Sequence, residues 1–228
     1  MSRILNVVRL QLINKQTFVW VPLIILGASL AVSILIYVMI PYDGPKYGGG
    51  GQAPLWYFFA LGMSCLTLSF PFSQAMSITR RDFFLGTMAA ALMTSTILAV
   101  VFVLGGFLED ATHGWGVNGY FFSLPWLWEA GPLAAGLSYF ALALLLFVIG
   151  FTGATVYKRW GATATTVASL GVVVVLVVLV FLVTRLDQWG TVWEGILTLG
   201  ALGLSLWGLV AIALLAGISY LVLRRATP

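Results

Sequence analysis

The sequence predicts an all-α, polytopic membrane protein with six transmembrane helices and both termini on the cytoplasmic side. Three observations carry that prediction. Of 228 residues, 61% are hydrophobic and only 8% are charged, a fraction that no soluble domain of this length hides. The apolar residues gather into runs close to the ~20 residues a helix needs to cross a bilayer core of ~30 Å. The charges between the runs sort by sign.

The first element is short. Ser2 to Lys15 is too polar to span a bilayer, and Ile4, Leu5, Val8 and Leu12 form one apolar stripe while Val7, Leu10 and Ile13 fall off it. An interfacial N-terminal helix is expected there. Phe18–Ile40 follows. At 23 residues it exceeds the ~7–15 of a signal-peptide core, and no A-x-A site follows, so it reads as the first span. The remaining spans are Leu55–Met76, Met88–Leu108, Leu133–Tyr157, Ala162–Thr184 and Ile196–Leu223. Each is far longer than a barrel strand and lacks in/out alternation, so helix is the expected form. The whole chain, 1–228, reads as a single transmembrane domain with no nucleotide-binding domain.

Orientation follows from the basic residues. With the N-terminus inside, Arg3, Arg9, Lys15, Arg80, Arg81, Lys158, Arg159, Arg224 and Arg225 lie on the cytoplasmic side, nine of eleven in all. Only Lys46 and Arg185 lie outside. The acids invert: Asp43, Glu109, Asp110, Glu129, Asp187 and Glu194 are outside, and Asp82 alone is inside. The inner connections are short. The outer ones include a glycine-rich stretch, Asp43–Pro54, expected to be a flexible loop, and Glu109–Ala130. The latter carries Trp115, Tyr120, Phe121, Phe122, Trp126 and Trp128, which suggests a segment lying in the outer interface. Arg185–Gly195, with two more tryptophans, reads the same way.

Several chemistries lose ground. The basic residues are scattered and form no stripe for a nucleic acid. Cys65 is the only cysteine, so neither an intramolecular disulfide nor a cysteine metal set is available. No acid lies inside an apolar run, which disfavours an ion-coupled transporter. His113, the only histidine, has Asp110 and Glu109 nearby in sequence but reads as a solvated loop residue. The four glycines in the first outer loop lack the G-x-x-x-x-G-K-[ST] phosphate cradle. Pro71, inside the second run, predicts a kink that serves as a hinge or groove or is merely tolerated. Small-xxx-small spacings at Gly27/Ala31, Gly150/Ala154 and Ala213/Gly217 permit close helix contacts.

The densest polar feature is "SITRRDFFLGT", between spans two and three. Thr79 is placed to cap a short helix over 79–87, with Asp82 as its reciprocal partner three residues on. Phe83 and Phe84 either dip into the interface while Arg80 and Arg81 bind lipid phosphates, or plug a partner's groove while the charges fix the register.

This stretch, preceded by "PFSQAM" and followed by "MAAALMTST", resembles the permease subunits of ABC-2 type transporters. The resemblance extends to the six-span layout, the interfacial N-terminal stretch and the aromatic loop before span six. Ser77 departs from the pattern, standing where a glycine is often found. The resemblance implies that Thr79, Arg80, Arg81, Asp82, Phe83, Phe84, Leu85 and Gly86 form the coupling helix that docks into an ATPase subunit. It implies two ATPase copies holding ATP and Mg, a second permease that is a copy or a relative, and export of an amphipathic or hydrophobic substrate from a bacterial plasma membrane. This chain would then be no enzyme and hold no cofactor of its own. The alternatives are the six-span substrate-capturing component of a small-molecule importer and a non-transporting immunity or accessory membrane protein.

Overall fold

The computed structural model describes residues 3–13 and 15–224. Ser2, Asn14 and Arg225 lie outside the described residues. Among the described residues the chain is all-α apart from one pair of two-residue strands, and five helices are long and apolar enough to cross a membrane.

Helix α1, Arg3–Ile13, packs against the start of α5, Arg80–Ala111. Its buried face is Val7, Val8 and Gln11, while Leu5 is 52% exposed. The expected apolar stripe through Leu5 is therefore rotated. Gln11 decides the rotation: its amide donates to the Thr87 hydroxyl (3.2 Å) and its carbonyl oxygen accepts from Ser69 (3.2 Å). A buried amide needs those partners.

A π-helical turn, Gln16–Trp20, leads into α2, Val21–Met39. The Tyr57 hydroxyl ties that turn to the following helix by donating to the Thr17 carbonyl (2.9 Å). Helix α3, Gln52–Ser64, continues through a second π-helical turn, Cys65–Ser69, into the short α4, Phe70–Ala75. Pro71 sits at the first turn of α4. The missing proline N–H and the widened turn before it fall together where the sequence predicts a kink.

No separate helix spans 79–87. Thr79 starts a single 32-residue helix, α5, that includes the third predicted span. The "LGTM" junction holds no proline, and Gly86 and Thr87 are both buried within the helix, so nothing stops it.

After the single turn of α6, Pro125–Trp128, the fourth and fifth predicted spans form one helical element, α7, Pro132–Arg185, of 54 residues. Its backbone departs from helix at Gly161 (φ 80°, ψ −176°). An unbroken helix of that length would reach about 80 Å, more than twice a ~30 Å bilayer core. Helix α8, Trp189–Leu223, breaks likewise at Gly200 (φ 60°, ψ −176°). Both dihedral pairs are ones that glycine alone adopts without strain.

The portion of α7 before Gly161 is the hub, packed by α3, α5 and α8. The rest of α7, residues 162–185, is exposed almost throughout. At the α3–α7 crossing, a Cβ on Gly62 would strike the Phe147 carbonyl, and one on Gly150 would strike the Phe59 carbonyl. Of the expected small-residue contacts, this is the one the fold uses through its glycine: Gly27 and Gly217 have open space around them. Helix α8 runs parallel to the hub and is joined to it by two hydroxyl pairs, Ser138–Ser205 (2.7 Å) and Thr152–Ser219 (2.6 Å). The pairs stand two heptads apart on both helices, the repeat of a coiled-coil seam.

These contacts make opposite expectations for two glycines. Gly150→Ala forces a side chain into the Phe59 backbone and should destabilise the protein by about 1–3 kcal/mol. Gly217→Ala meets nothing and should be neutral or stabilise by up to about 1 kcal/mol. Thermal unfolding of the detergent-purified variants reads both signs.

Candidate functional site

The stretch singled out by sequence begins at an elbow. Helix α4 closes with Ser77 N–H bonded to the Gln74 carbonyl (3.0 Å) and Ile78 N–H bonded to the Ser73 carbonyl (3.1 Å). That pair of bonds is a Schellman closure. It places Ser77 at φ 56°, a left-handed conformation that glycine adopts more easily. The position where the resemblance favours glycine is thus one where the backbone favours it too.

Thr79 then caps α5. Its hydroxyl accepts from Asp82 N–H (3.1 Å) and donates to the Asp82 carboxylate (2.7 Å). The predicted cap is present, with one difference. The carboxylate returns to the threonine hydroxyl rather than to the threonine N–H of a standard capping box.

Arg80 turns inward across the bundle end and donates from Nη1 to the Arg224 carbonyl (2.8 Å). A guanidinium there offsets the partial negative charge at the C-terminus of α8. Arg81 is exposed, and so is Leu85 at 37%.

The two phenylalanines correct the expectation that they project outward. Phe83 is fully buried and packs edge-on to Phe70, centroids 5.2 Å apart. Phe84 is 9% exposed and meets Tyr220 of α8 at 5.1 Å and Phe151 of α7 at 6.0 Å. The physical reason is the length of α5. Once 79–87 belongs to a spanning helix, residues 83 and 84 lie on the face turned to α4, α7 and α8. Their rings are pegs that fasten the elbow to the bundle, leaving Arg81 and Leu85 as its outer face. Gly86 is buried as well.

The opposite end of α5 carries a second constellation, absent from the sequence reading. Glu109 is completely buried. Its carboxylate accepts from the backbone N–H groups of Phe121 (2.8 Å), Phe122 (3.1 and 3.2 Å) and Ser123 (2.7 Å), and from Trp115 Nε1 (2.9 Å). A buried carboxylate surrounded by N–H donors is well compensated. This clasp folds the 109–130 connection inward. Phe121 and Phe122 are in the core rather than lying in the interface as expected. Phe122 packs on Gly105 and Trp128 on Gly106, where added Cβ atoms would strike the rings. Trp128 Nε1 and the Tyr139 hydroxyl both donate to the Phe122 carbonyl (3.0 and 2.7 Å).

The glycine-rich Asp43–Pro54 loop is tied to the same assembly. Lys46–Tyr47 (β1) pairs in parallel with Gly119–Tyr120 (β2). The Ser29 hydroxyl donates to the Gly50 carbonyl (2.6 Å) and Asn118 Nδ2 donates to the Asp43 carbonyl (3.0 Å). His113, exposed at φ 51°, takes no part in the Glu109 clasp. Among the described residues no three His, Cys, Asp or Glu side chains assemble as a metal-holding group.

The signal for the clasp lay in "GGFLED" followed by an aromatic-rich connection. Two glycines clear space for rings, and an acid stands on the last apolar turn. Comparison of the chain with protein-family models, curated proteins and solved structures finds no match in any of the three.

Two outcomes test this geometry. Ser77→Gly relieves the left-handed residue and should stabilise the protein by about 1 kcal/mol, read as a raised midpoint of thermal unfolding. Glu109→Gln replaces half of an all-acceptor group with a donor and strands backbone N–H groups, costing about 1–3 kcal/mol. Hydrogen exchange at Phe121, Phe122 and Ser123 should accelerate more than at the α3–α7 crossing.

Proposed function

We propose that the chain is the membrane-spanning permease subunit of an ATP-driven transporter of the ABC-2 type, driven by a separate ATPase through the elbow at Thr79–Gly86. The observation that carries the reading is the mechanical character of that elbow. Arg81 and Leu85 are presented outward, while Phe83, Phe84 and Arg80 fasten the same turn to α4, α7 and α8. A site meant to receive force needs both an accessible surface and a stiff connection to the parts that move.

In this reading, Gly161 divides α7 into two crossings and gives six spans. The end holding Arg80, Arg159 and Arg224 faces the cytoplasm of a bacterial cell, and the Glu109 end faces outward, in keeping with the sorted charges. Thr79 and Asp82 fix the start of the coupling turn, Phe83 and Phe84 key it, and Arg81 and Leu85 meet the ATPase. Pro71 and the widened turn before it supply the hinge on the α4 side. Two ATPase copies bind and hydrolyse ATP with Mg. A second permease, the same chain or a relative, completes a pathway that exports an amphipathic or hydrophobic molecule such as a drug, peptide or lipid. The chain itself performs no chemistry.

The decisive experiment changes the outer face without touching the pegs. Affinity purification of the tagged wild-type chain from its native cells should recover a chain with a Walker A motif and no spans. Arg81→Glu with Leu85→Glu should reduce that recovery at least tenfold, as loss of an interface anchor does, with unfolding temperature unchanged. Phe83→Ala should instead lower stability by about 3–5 kcal/mol, as removal of a buried ring does. A doubly charged variant that keeps its ATPase and its transport overturns the coupling assignment.

A further inference from the structure

The end of the bundle that carries Thr79 holds a second polar feature, outside the elbow. The hub part of α7 and the last turns of α8 leave between them a cavity of about 290 Å³, lined by Arg159, Arg224, Ile218, Leu221 and Val222. Two arginines and three aliphatic residues make up this lining.

The arginines are held by their surroundings. Arg159 is half-buried, and its guanidinium carbon lies 4.2 Å from the centroid of the Trp160 ring, a stacking that orders the side chain. Arg224 closes α8, and its carbonyl is fixed by Arg80 Nη1 at 2.8 Å, which brings a third guanidinium to the same helix end. Among the described residues no carboxylate pairs with Arg159 or Arg224. Asp82, the one acid in the sequence segments at this end, is engaged with Thr79. Cations gathered at a low-dielectric surface repel each other and lose hydration unless an anion joins them.

The apolar side of the cavity is equally unfinished. Ile218 is 51% exposed and Leu221 is 56% exposed, so the aliphatic part of the lining is uncovered. The required ligand therefore carries a phosphate-like anion at one end and hydrocarbon at the other. Guanidinium groups bind phosphate oxygens bidentately, and basic pockets between helices at a membrane surface suit anionic headgroups.

We propose that this cavity is a binding site for an anionic phospholipid, whose headgroup phosphate is taken by Arg159 and Arg224 and whose acyl chain lies along Ile218 and Leu221. The site stands apart from the transport reading and requires only that this end of the bundle meets a membrane surface. It shares the bundle end with the elbow, because Arg80 links Arg224 to the start of α5. A bound lipid thus braces α8 against the turn that carries Phe84.

Native mass spectrometry of the detergent-purified protein tests this, with phosphatidylglycerol and phosphatidylcholine of matched acyl chains offered together. Wild type should retain phosphatidylglycerol preferentially. Arg159→Gln with Arg224→Gln should weaken that retention by about fivefold for each arginine removed. Lys158→Gln, the same charge change on a residue that does not line the cavity, should leave it unchanged. Ile218→Trp fills the aliphatic side while keeping every charge, and should also expel the lipid. If the double variant fails to fold, Arg224→Gln alone carries the test, since that side chain is exposed at the helix end. A competition with inorganic phosphate separates a headgroup site from a soluble-anion site. Retention unaffected by millimolar phosphate supports the lipid, and displacement by it overturns the proposal. Undiminished phosphatidylglycerol preference in the arginine variants, or in Ile218→Trp, overturns it as well.

Discussion

The crossing of α3 and α7, where Gly62 and Gly150 let two backbones touch, is the contact on which the rest of this bundle depends. Within a bilayer no hydrophobic force drives one apolar helix against another, since lipid tails solvate either face equally well. What remains is close packing and internal hydrogen bonding. The glycines supply the first by removing the side chains that would hold the axes apart. The Phe147 and Phe151 rings of the same helix stack at 6.4 Å, and Phe151 reaches Phe84 of α5. The hub therefore positions α5, and with it both ends of the molecule.

The second means of association, polar contact, is used sparingly. Ser138 with Ser205 and Thr152 with Ser219 fix the register of α8 on the hub. Gln11 fixes α1 against Ser69 and Thr87. In each pair one hydroxyl donates to the other, whose own proton goes to a carbonyl one turn back in its helix, which limits the cost of placing the pair in an apolar setting. The Glu109 clasp extends the same logic to a charged group. Three main-chain donors and an indole replace the water that a carboxylate would otherwise require.

The helical class and most helix positions were legible in the sequence, because an apolar run of membrane length has few other solutions. The Thr79 cap was legible for a local reason: it depends on residues three apart. Facing was not legible. Periodicity marks a buried face by contrast with polar positions, and these helices offer almost no contrast. Hence Phe83 and Phe84 read as projecting rings although both are pegs, and the α1 stripe was set on Leu5 rather than Val7. Glu109 escaped for another reason. Its partners are backbone N–H groups 12–14 residues downstream, and backbone groups leave no trace in a sequence. Flexibility of the Asp43–Pro54 loop was inferred from glycine content alone, whereas at Gly48 and Gly50 the glycines admit the Tyr37 hydroxyl and the Ser33 and Ser29 hydroxyls.

One helix joins the two constellations. From the Thr79 cap to the Glu109 clasp, α5 is continuous over 32 residues, about 48 Å at the helical rise. Its described interior contains neither a proline nor a non-helical residue. Axial displacement of such a rod is passed along rather than absorbed, because every turn is locked by its own hydrogen bonds. Helices α3 and α4 differ: a widened turn and Pro71 remove regular i→i−4 hydrogen bonds from the helical path between Gln52 and Ala75. A push on the elbow therefore meets a compliant element on one side and a stiff one on the other. The stiff one ends at a carboxylate bonded to the backbone of Phe121, Phe122 and Ser123, so under the proposed function a displacement of Arg81 would reach those hydrogen bonds along the helix. For the transport subunit proposed above, that asymmetry would couple a push at the Thr79 end to a response at the Glu109 end.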